Sequence, residues 1–405
     1  PPRRSPGVTG PTYCTILATN YLPKALALAD SLVRHDRGEL VVLLIDAQSA
    51  DDHDLPDFPD LPGVRIVGTD FLGLPLDDVL AMTTYYDLVE FATAIKPLFF
   101  KRLLEDSEQV FYLDPDTYLT SPMEELPGEL AASTGGVLLT PHFLHPIPPE
   151  APVTEGHLLQ VGVFNLGFCG FDRRAIPALD WWWARLQWDC LFDYLNGLFV
   201  DQKWMDMGSD LFEARSLRHH GYNVGVVNLH ERPLGLDADG FHIVGTEDRL
   251  RLFHFHAFDT SRPQELSTRF DMSTAHMRTE SAAVDQLCKE YAADVMRHED
   301  RLPSAPAYRY WNDTEGRRIP RRLRRAWRVQ ARSGHRPPSP FVAAEAAAWT
   351  AWRRSAWKTL AKELSVDAAK SARMSMPEEF GKFKERFPRA VNAVTSRMGR
   401  GGMFG

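Results

Sequence analysis

The chain has 405 residues, 44% of them hydrophobic, enough core material for one large globular domain with an appendage or for two domains. No run of 18 apolar residues occurs, which excludes a membrane-spanning helix, and no charged start followed by an apolar segment marks a secretory leader in a sequence that begins at Pro1. The net charge of −8 conceals a division: residues 301–405 carry 23 Lys and Arg against 8 Asp and Glu (+15), whereas residues 1–300 carry 23 against 46 (−23), an acidic body followed by a basic tail suited to a partner of its own.

Residues 1–10 offer little to pack and read as a flexible terminus. Tyr13–Ala18 reads as a first strand and Thr19–Leu22 as a loop, and Pro23 opens a helix on which Ala25, Leu28, Ala29, Leu32 and Val33 recur at helical spacing. Leu40–Ile45 is a second strand ending at Asp46. The Asp- and Pro-rich 51–63 stretch is a loop, and Val64–Val67 a third strand. Helical patterns are expected over 83–94 and, restarted by Pro97, over 97–105. Strands alternating with helices over 12–119 predict an α/β fold with a mostly parallel sheet. The four cysteines (Cys14, Cys169, Cys190 and Cys288) form no Cys-x-x-Cys motif, which fits a reducing cytoplasm.

The next strand, Val110–Leu113, ends in Asp114-Pro115-Asp116. Pro115 cannot donate to a strand ladder, so the strand stops or bends there and presents two carboxylates at the carboxyl edge of the sheet, where open α/β folds bind ligands. Two hard oxygen ligands so placed suit Mg²⁺ or Mn²⁺ shared with a substrate's phosphates; the alternative is a strand-to-turn junction with two solvated Asp. No Gly-x-Gly-x-x-Gly or Walker-type Gly-Lys-Ser/Thr follows any of these strands, which disfavours dinucleotide dehydrogenases and P-loop ATPases. Farther on, the proline-rich 140–156 stretch reads as an irregular cover, Gly162–Phe171 as a glycine-containing strand, and Trp181–Trp188 as part of a helix packed on the sheet. Leu198–Val200 leads into Asp201-Gln202. Leu250–His256 alternates, placing His254 and His256 on one strand face.

These pieces together resemble the retaining glycosyltransferases of family 8 and their bacterial relatives. The resemblance runs over roughly 12–265. It rests on Ala18-Thr19-Asn20-Tyr21, Asp46, Lys96-Pro97, Tyr112-Leu113-Asp114-Pro115-Asp116, Phe164-Asn165-Leu166-Gly167, Asp201-Gln202 and His254-Phe255-His256-Ala257, in the family's order. It implies a GT-A fold with a mixed, mostly parallel sheet over residues 11–300. The implied activity is that of a metal-dependent retaining hexosyl- or related glycosyltransferase. The donor would be a nucleotide-sugar, expected to be a UDP-sugar, and the acceptor a glycan, a lipid-linked or a small molecule in glycoconjugate, cell-surface or natural-product glycosylation. Asp114, Asp116 and His254, with His256 as its substitute, would hold Mn²⁺ or Mg²⁺. Ala18, Thr19, Asn20, Tyr21 and Asp46 would surround the nucleoside, with Tyr21 stacking on the base. Lys96 and Asn165 would contact sugar or phosphate, and Asp201 and Gln202 would position the reacting sugar for front-face attack. The family commonly carries His-x-x-Gly followed soon by a basic residue. Here Ala257 stands at the glycine position, and the nearest basic residue is Arg262. The bland alternatives are a turn or cap role for Asp46, a solvated surface position for Lys96 and a buried strand histidine for His254.

Residues 301–405 read as a basic, Trp-containing helical region. Arg317–Arg336 is strongly basic, and Phe341–Leu364 is Ala-rich with Trp349, Trp352, Trp357 and Leu360 near one helix face. Lys and Arg beside Trp and Leu suit an interfacial helix at an anionic membrane, which would place a cytoplasmic protein peripherally at the inner face; the alternative is a helix docked on the acidic body. No nucleic-acid recognition motif accompanies the charge. Two other functions compete: a non-catalytic nucleotide-sugar-binding protein, and an Asp-x-Asp phosphohydrolase. The latter would need Thr or Val where this chain has Tyr118.

Overall fold

Thr12–Leu17 (β1) and Leu40–Leu44 (β2) are apolar along their whole length, apart from the two threonines of β1, and every residue in them is buried, as befits strands covered on both faces. They are seen in a computed structural model that describes residues 11–36, 38–52, 61, 63–149, 153–268, 281–304, 306–389 and 391. The terminus 1–10 and most of the 51–63 loop lie outside the described residues. With Val64–Val67 (β3), Gln109–Leu113 (β4), Val137–Pro141 (β6), Phe164–Asp172 (β7) and the short Arg215–Ser216 strand, β1 and β2 form a seven-stranded sheet. Its order is 215–216, β6, β7, β4, β1, β2, β3. The pairings of β4 with β1, β1 with β2, β2 with β3 and β6 with 215–216 are parallel; only β7 runs against its neighbours β4 and β6. The fold is therefore the mixed, mostly parallel α/β class expected from the sequence.

The reversal of β7 decides where the site lies. β1, β2 and β4 deliver their carboxyl ends to one edge. Because β7 is antiparallel, with Leu113 opposite Phe168, its start brings Asn165 and Gly167 to that same edge. A second, three-stranded sheet stands beside it: Thr117–Leu119 (β5) pairs antiparallel with Leu252–His254, which pairs parallel with Val224–Gly225. The register sets His254 opposite Thr117, directly after the Asp-Pro-Asp turn.

The helices are amphipathic in the ordinary way. Leu22–His35 (α1) has Pro23 in its first turn and buries Ala25, Leu28, Ala29 and Leu32. The 83–94 pattern resolves into Leu76–Tyr85 (α2) and Leu88–Ala94 (α3), broken before Leu88. The next helix is Lys96–Asp106 (α4). It starts one residue before Pro97, because a proline in the first turn lacks only an N–H that has no partner inside the helix. Leu126–Ala131 (α5) and Glu155–Val161 (α6) are short. In the Trp-rich helix Ile176–Asp189 (α7), Trp182 is fully buried, 6.1 Å ring to ring from Phe171 of β7. Gln202–Leu211 (α8) follows Asp201 directly. The expected 250–256 strand is shorter than its alternation suggests. It stops at His254, the His256 amide folds back onto the His254 carbonyl (2.9 Å), and Ala257 is left-handed at φ 54°. His254 and His256 therefore do not share a strand face.

The chain divides into two compact units. The first holds 1–79, 88–192 and 199–309, and the second 80–87, 193–198 and 310–405. The division falls at Arg309, past the charge break at 300. Within the second unit, Arg324 on the Arg321–Arg332 helix is 1% exposed. It donates to the carbonyls of Thr83 (2.5 Å), Thr84 (3.2 Å), Tyr86 (2.9 Å), Tyr310 (2.6 Å) and Ile319 (3.3 Å). Trp327 stacks on Tyr85. The buried Asp313 accepts from the Trp349 indole (2.9 Å) and from Arg317 and Arg353. Trp327 and Trp349 are buried, and Trp352 bonds Gln330, so these three rings are held by the unit's own residues. The side chains of Trp357 and Leu360 lie outside the described residues. No helix among the described residues is long and apolar enough to cross a membrane.

Candidate functional site

The turn after β4 is built so that both of its carboxylates face one way. Asp114 N–H donates to the Gly167 carbonyl (2.8 Å), the last tie to β7, and Thr117 N–H closes the turn on the Asp114 carbonyl (3.0 Å). Pro115 sits second in this four-residue turn, the place where its fixed φ is favourable and its missing N–H is not needed. The Asp116 carbonyl accepts from Phe255 N–H (2.8 Å), which locks the turn to the strand bearing His254. Asp114, Asp116 and His254 each offer a ligand atom within 4.8 Å of the others. His254 Nε2 lies 3.2 Å from Asp116 Oδ1 and 3.7 Å from Asp114 Oδ2.

A neighbour absent from the sequence reading orients that imidazole. Asn223, buried and left-handed at φ 53°, donates through Nδ2 to the Asn165 carbonyl (3.0 Å), which turns its Oδ1 to His254 Nδ1 (2.9 Å). Nδ1 therefore carries the proton, and Nε2 is the nitrogen aimed at the carboxylates. This is the outer-shell arrangement that prepares a histidine for a metal. Gly167 leaves the room: a Cβ there would lie 2.5 Å from His254 Cε1 and 2.9 Å from Asp114 Oδ2. Gly167→Ala is accordingly expected to weaken Mn²⁺ binding at least about tenfold by moving His254 or Asp114. Titration calorimetry checks this, and an unchanged affinity would mean that the close approach is unnecessary.

Charges in the site compensate one another. Burial raises the Asp116 carboxyl, but the facing His254, and after it Lys24 and His256, outweigh burial and hold it at about 2. Burial lowers the His254 imidazole, and Asp116 and then Asp114 more than restore it, so its pKa lies above the ordinary value. Beside this cluster lies a second pair. Lys96 is 2% exposed, not a surface lysine, because α4 begins at it and points it inward. Its ammonium is 2.9 Å from Asp201 Oδ2, 3.1 Å from the Leu166 carbonyl and 4.2 Å from the centre of the Tyr112 ring. Burial opposes its charge, but Asp201 and then Asp114 keep it protonated. Burial raises Asp201, and Lys96 offsets this only in part. Tyr112 links the two groups: its ring faces Lys96 and its hydroxyl donates to Asp114 Oδ1 (2.7 Å).

The other expected residues divide. Asp46 turns its carboxylate inward to Thr19, accepting from the Thr19 N–H (3.0 and 3.1 Å) and hydroxyl (2.9 Å), and so shapes the Ala18–Tyr21 loop. Ala18 is buried, whereas Asn20 and Tyr21 are exposed, Tyr21 by 42%. Asn165 Oδ1 accepts from Gly167 N–H (3.0 Å) and braces the start of β7. Gln202 opens α8 and donates to the Val161 carbonyl (2.9 Å). His256 lies with its ring 5.5 Å from that of His254 but outside the three-residue cluster. Arg262 is bound to Asp259 (3.0 Å) and Glu265 (2.8 Å). Tyr118 OH donates to Asp294 (2.6 Å) and does not face the Asp-x-Asp pair. The sequence reading missed Asn223, Tyr112 as a hydroxyl donor, and Lys24. A single polar residue in a loop or first helical turn carries no pattern; only Tyr112, two residues before Asp114, stood where the motif could have pointed to it.

Two carboxylates and one oriented imidazole form a donor set that fits a hard or borderline divalent cation such as Mg²⁺ or Mn²⁺. No family model matches the sequence. The uncharacterized protein YfnF of Bacillus subtilis (strain 168) is 24% identical over 300 residues, covering 72% of this chain and 94% of that protein. Solved structures with a related chain course include the bifunctional glycosyltransferase WbbM (15% identity, 74% of this chain, TM-score 0.41), of which this chain spans only about half (53%). They also include mouse xyloside xylosyltransferase 1 (12% identity, 61% of this chain and 98% of that one, TM-score 0.37). A third is the galactosyltransferase LgtC in complex with donor and acceptor sugar analogues (15% identity, 73% and 98%, TM-score 0.39).

Proposed function

We propose that the protein is a metal-dependent retaining glycosyltransferase of the GT-A type that moves a sugar from a nucleotide-sugar, a UDP-sugar in the first instance, to an acceptor. The observation that carries this reading is the Asp114–Asp116–His254 cluster at the carboxyl edge of the sheet, with Lys96–Asp201 beside it and the exposed Tyr21 on the loop after β1. A divalent cation bound there supplies stabilisation of the negative charge that gathers on the leaving diphosphate. The chain's own residues do the rest. Asn223 and Gly167 fix the direction and clearance of His254. Tyr21 offers a ring face to the base. Lys96 holds the Asp201 carboxylate in place and keeps water from it, so that Asp201 and Gln202 position the sugar for front-face attack.

The competing functions are separated by one assay. Release of free UDP from UDP-sugars with Mn²⁺ present is expected of a transferase, through transfer or slow hydrolysis; binding without release would mark a binding protein. The phosphohydrolase reading loses its fourth-position residue, since Tyr118 is committed to Asp294. Gln202→Ala is expected to lower turnover more than about tenfold while the donor dissociation constant stays within about threefold, as for a contact made mainly in the transition state. Equal turnover with weaker donor binding would assign Gln202 to the nucleotide side instead. Product anomeric configuration by NMR tests retention.

A further inference from the structure

Among the described residues, the loop after His254 brings no free cation to the site. Ala257 holds a left-handed turn, and Arg262 is ion-paired twice within its own loop. A different ammonium is present. Lys24, in the first turn of α1, lies with Nζ 3.5 Å from the Phe258 carbonyl and 4.8 Å from the centre of the Tyr21 ring. Those two contacts span the gap between the loop after β1 and the loop after His254. An ammonium has three donors, and among the described residues no carboxylate pairs with this one.

We propose that Lys24 binds the diphosphate of the donor nucleotide, bringing an ammonium from α1 to the loop that follows His254. The inference rests on the nucleotide-sugar reading and deepens it. A base on Tyr21 and a cation on Asp114 and Asp116 require the diphosphate to run between them, and Lys24 reaches from the Tyr21 ring to the loop that follows His254. The carboxylates neutralise much of a divalent cation's charge, so a nucleoside diphosphate needs a further donor, and a charged hydrogen bond to phosphate is the strong kind. The exposed Tyr21 ring, with Lys24 over one face, keeps the ammonium near the opening when the site is empty.

The test compares UDP with UMP, each titrated in the presence of Mn²⁺, on the full chain. Wild type should prefer UDP. Lys24→Met should weaken UDP at least about tenfold and UMP by less than about threefold, and Lys24→Arg should retain the preference. Arg262→Ala should change neither by more than about twofold. Mn²⁺ binding without nucleotide, unchanged in Lys24→Met, would show that the cluster is intact. A UDP preference that survives Lys24→Met, or that is lost in Arg262→Ala, overturns the role of Lys24 while leaving the transferase reading standing. Failure of wild type to bind either nucleotide overturns that reading and this inference with it.

Discussion

Asp116→Asn is expected to abolish sugar transfer, lowering turnover by at least about a thousandfold and Mn²⁺ affinity by more than about a hundredfold. The substitution preserves shape, so the fold survives: Asp116 contributes to the turn through its backbone carbonyl, which the variant keeps. What is lost is one of the two anionic ligands, and the charge opposite His254 Nε2 at 3.2 Å. The melting temperature should stay within about 3 °C of wild type when both are measured without metal. Added Mn²⁺ should raise it for wild type and not for the variant, because only a state that binds the ion is stabilised by it. Chelation of wild type should reproduce the variant's turnover. Turnover within about threefold of wild type after either treatment would make a metal-dependent mechanism untenable.

Arg324→Met is expected to unfold the second unit at ordinary temperature or to cost on the order of 3–5 kcal/mol. The side chain is fully buried, and its guanidinium satisfies carbonyls from residues 83, 84, 86, 310 and 319. Removing it takes the donor from these buried acceptors, each loss costing about 1–3 kcal/mol and not additively. Arg324→Lys should fail to rescue, since one ammonium cannot span the positions that a planar fork reaches. Denaturant unfolding followed by tryptophan fluorescence reads this, because Trp327 stacks 5.9 Å from Tyr85 in the same unit. A midpoint equal to wild type would show that water replaces the guanidinium without loss.

The sequence made the scaffold of the site legible where pattern and chemistry coincide. Val110–Leu113 running into Asp114-Pro115-Asp116 marked a sheet edge, because an apolar strand, a residue that cannot pair and two carboxylates all point there, while the sequence left open whether the carboxylates hold a cation or are solvated. His254 was legible as a residue of an apolar strand. Its face was not: alternation through His256 promised a straight strand, and only backbone geometry shows the strand stopping at His254 and the chain folding back at His256 and Ala257. Lys96 was legible only in part: a lysine before proline left a sugar or phosphate contact and a solvated position both open, whereas the helix starts at that lysine and buries it against Asp201. Asn223 could not be found at all, for its meaning comes from strand pairing that sets it beside His254, 31 residues away. The basic tail was legible as charge but not as structure. Charge composition does not distinguish an arginine facing a membrane from one enclosed by carbonyl oxygens.

That enclosure has a consequence during biosynthesis. Thr84 and the arginine that satisfies its carbonyl are 240 residues apart. At about 5–20 residues per second, the ribosome needs roughly 10–50 s to make the second after the first. For that interval the 80–87 stretch, which carries Tyr85 and Tyr86, has been made without the residues that will cover it. The chain thus has a long window in which a chaperone would compete with misfolding. Slower translation between the two segments should increase aggregation of the nascent chain, whereas supplying residues 310–405 in trans should reduce it.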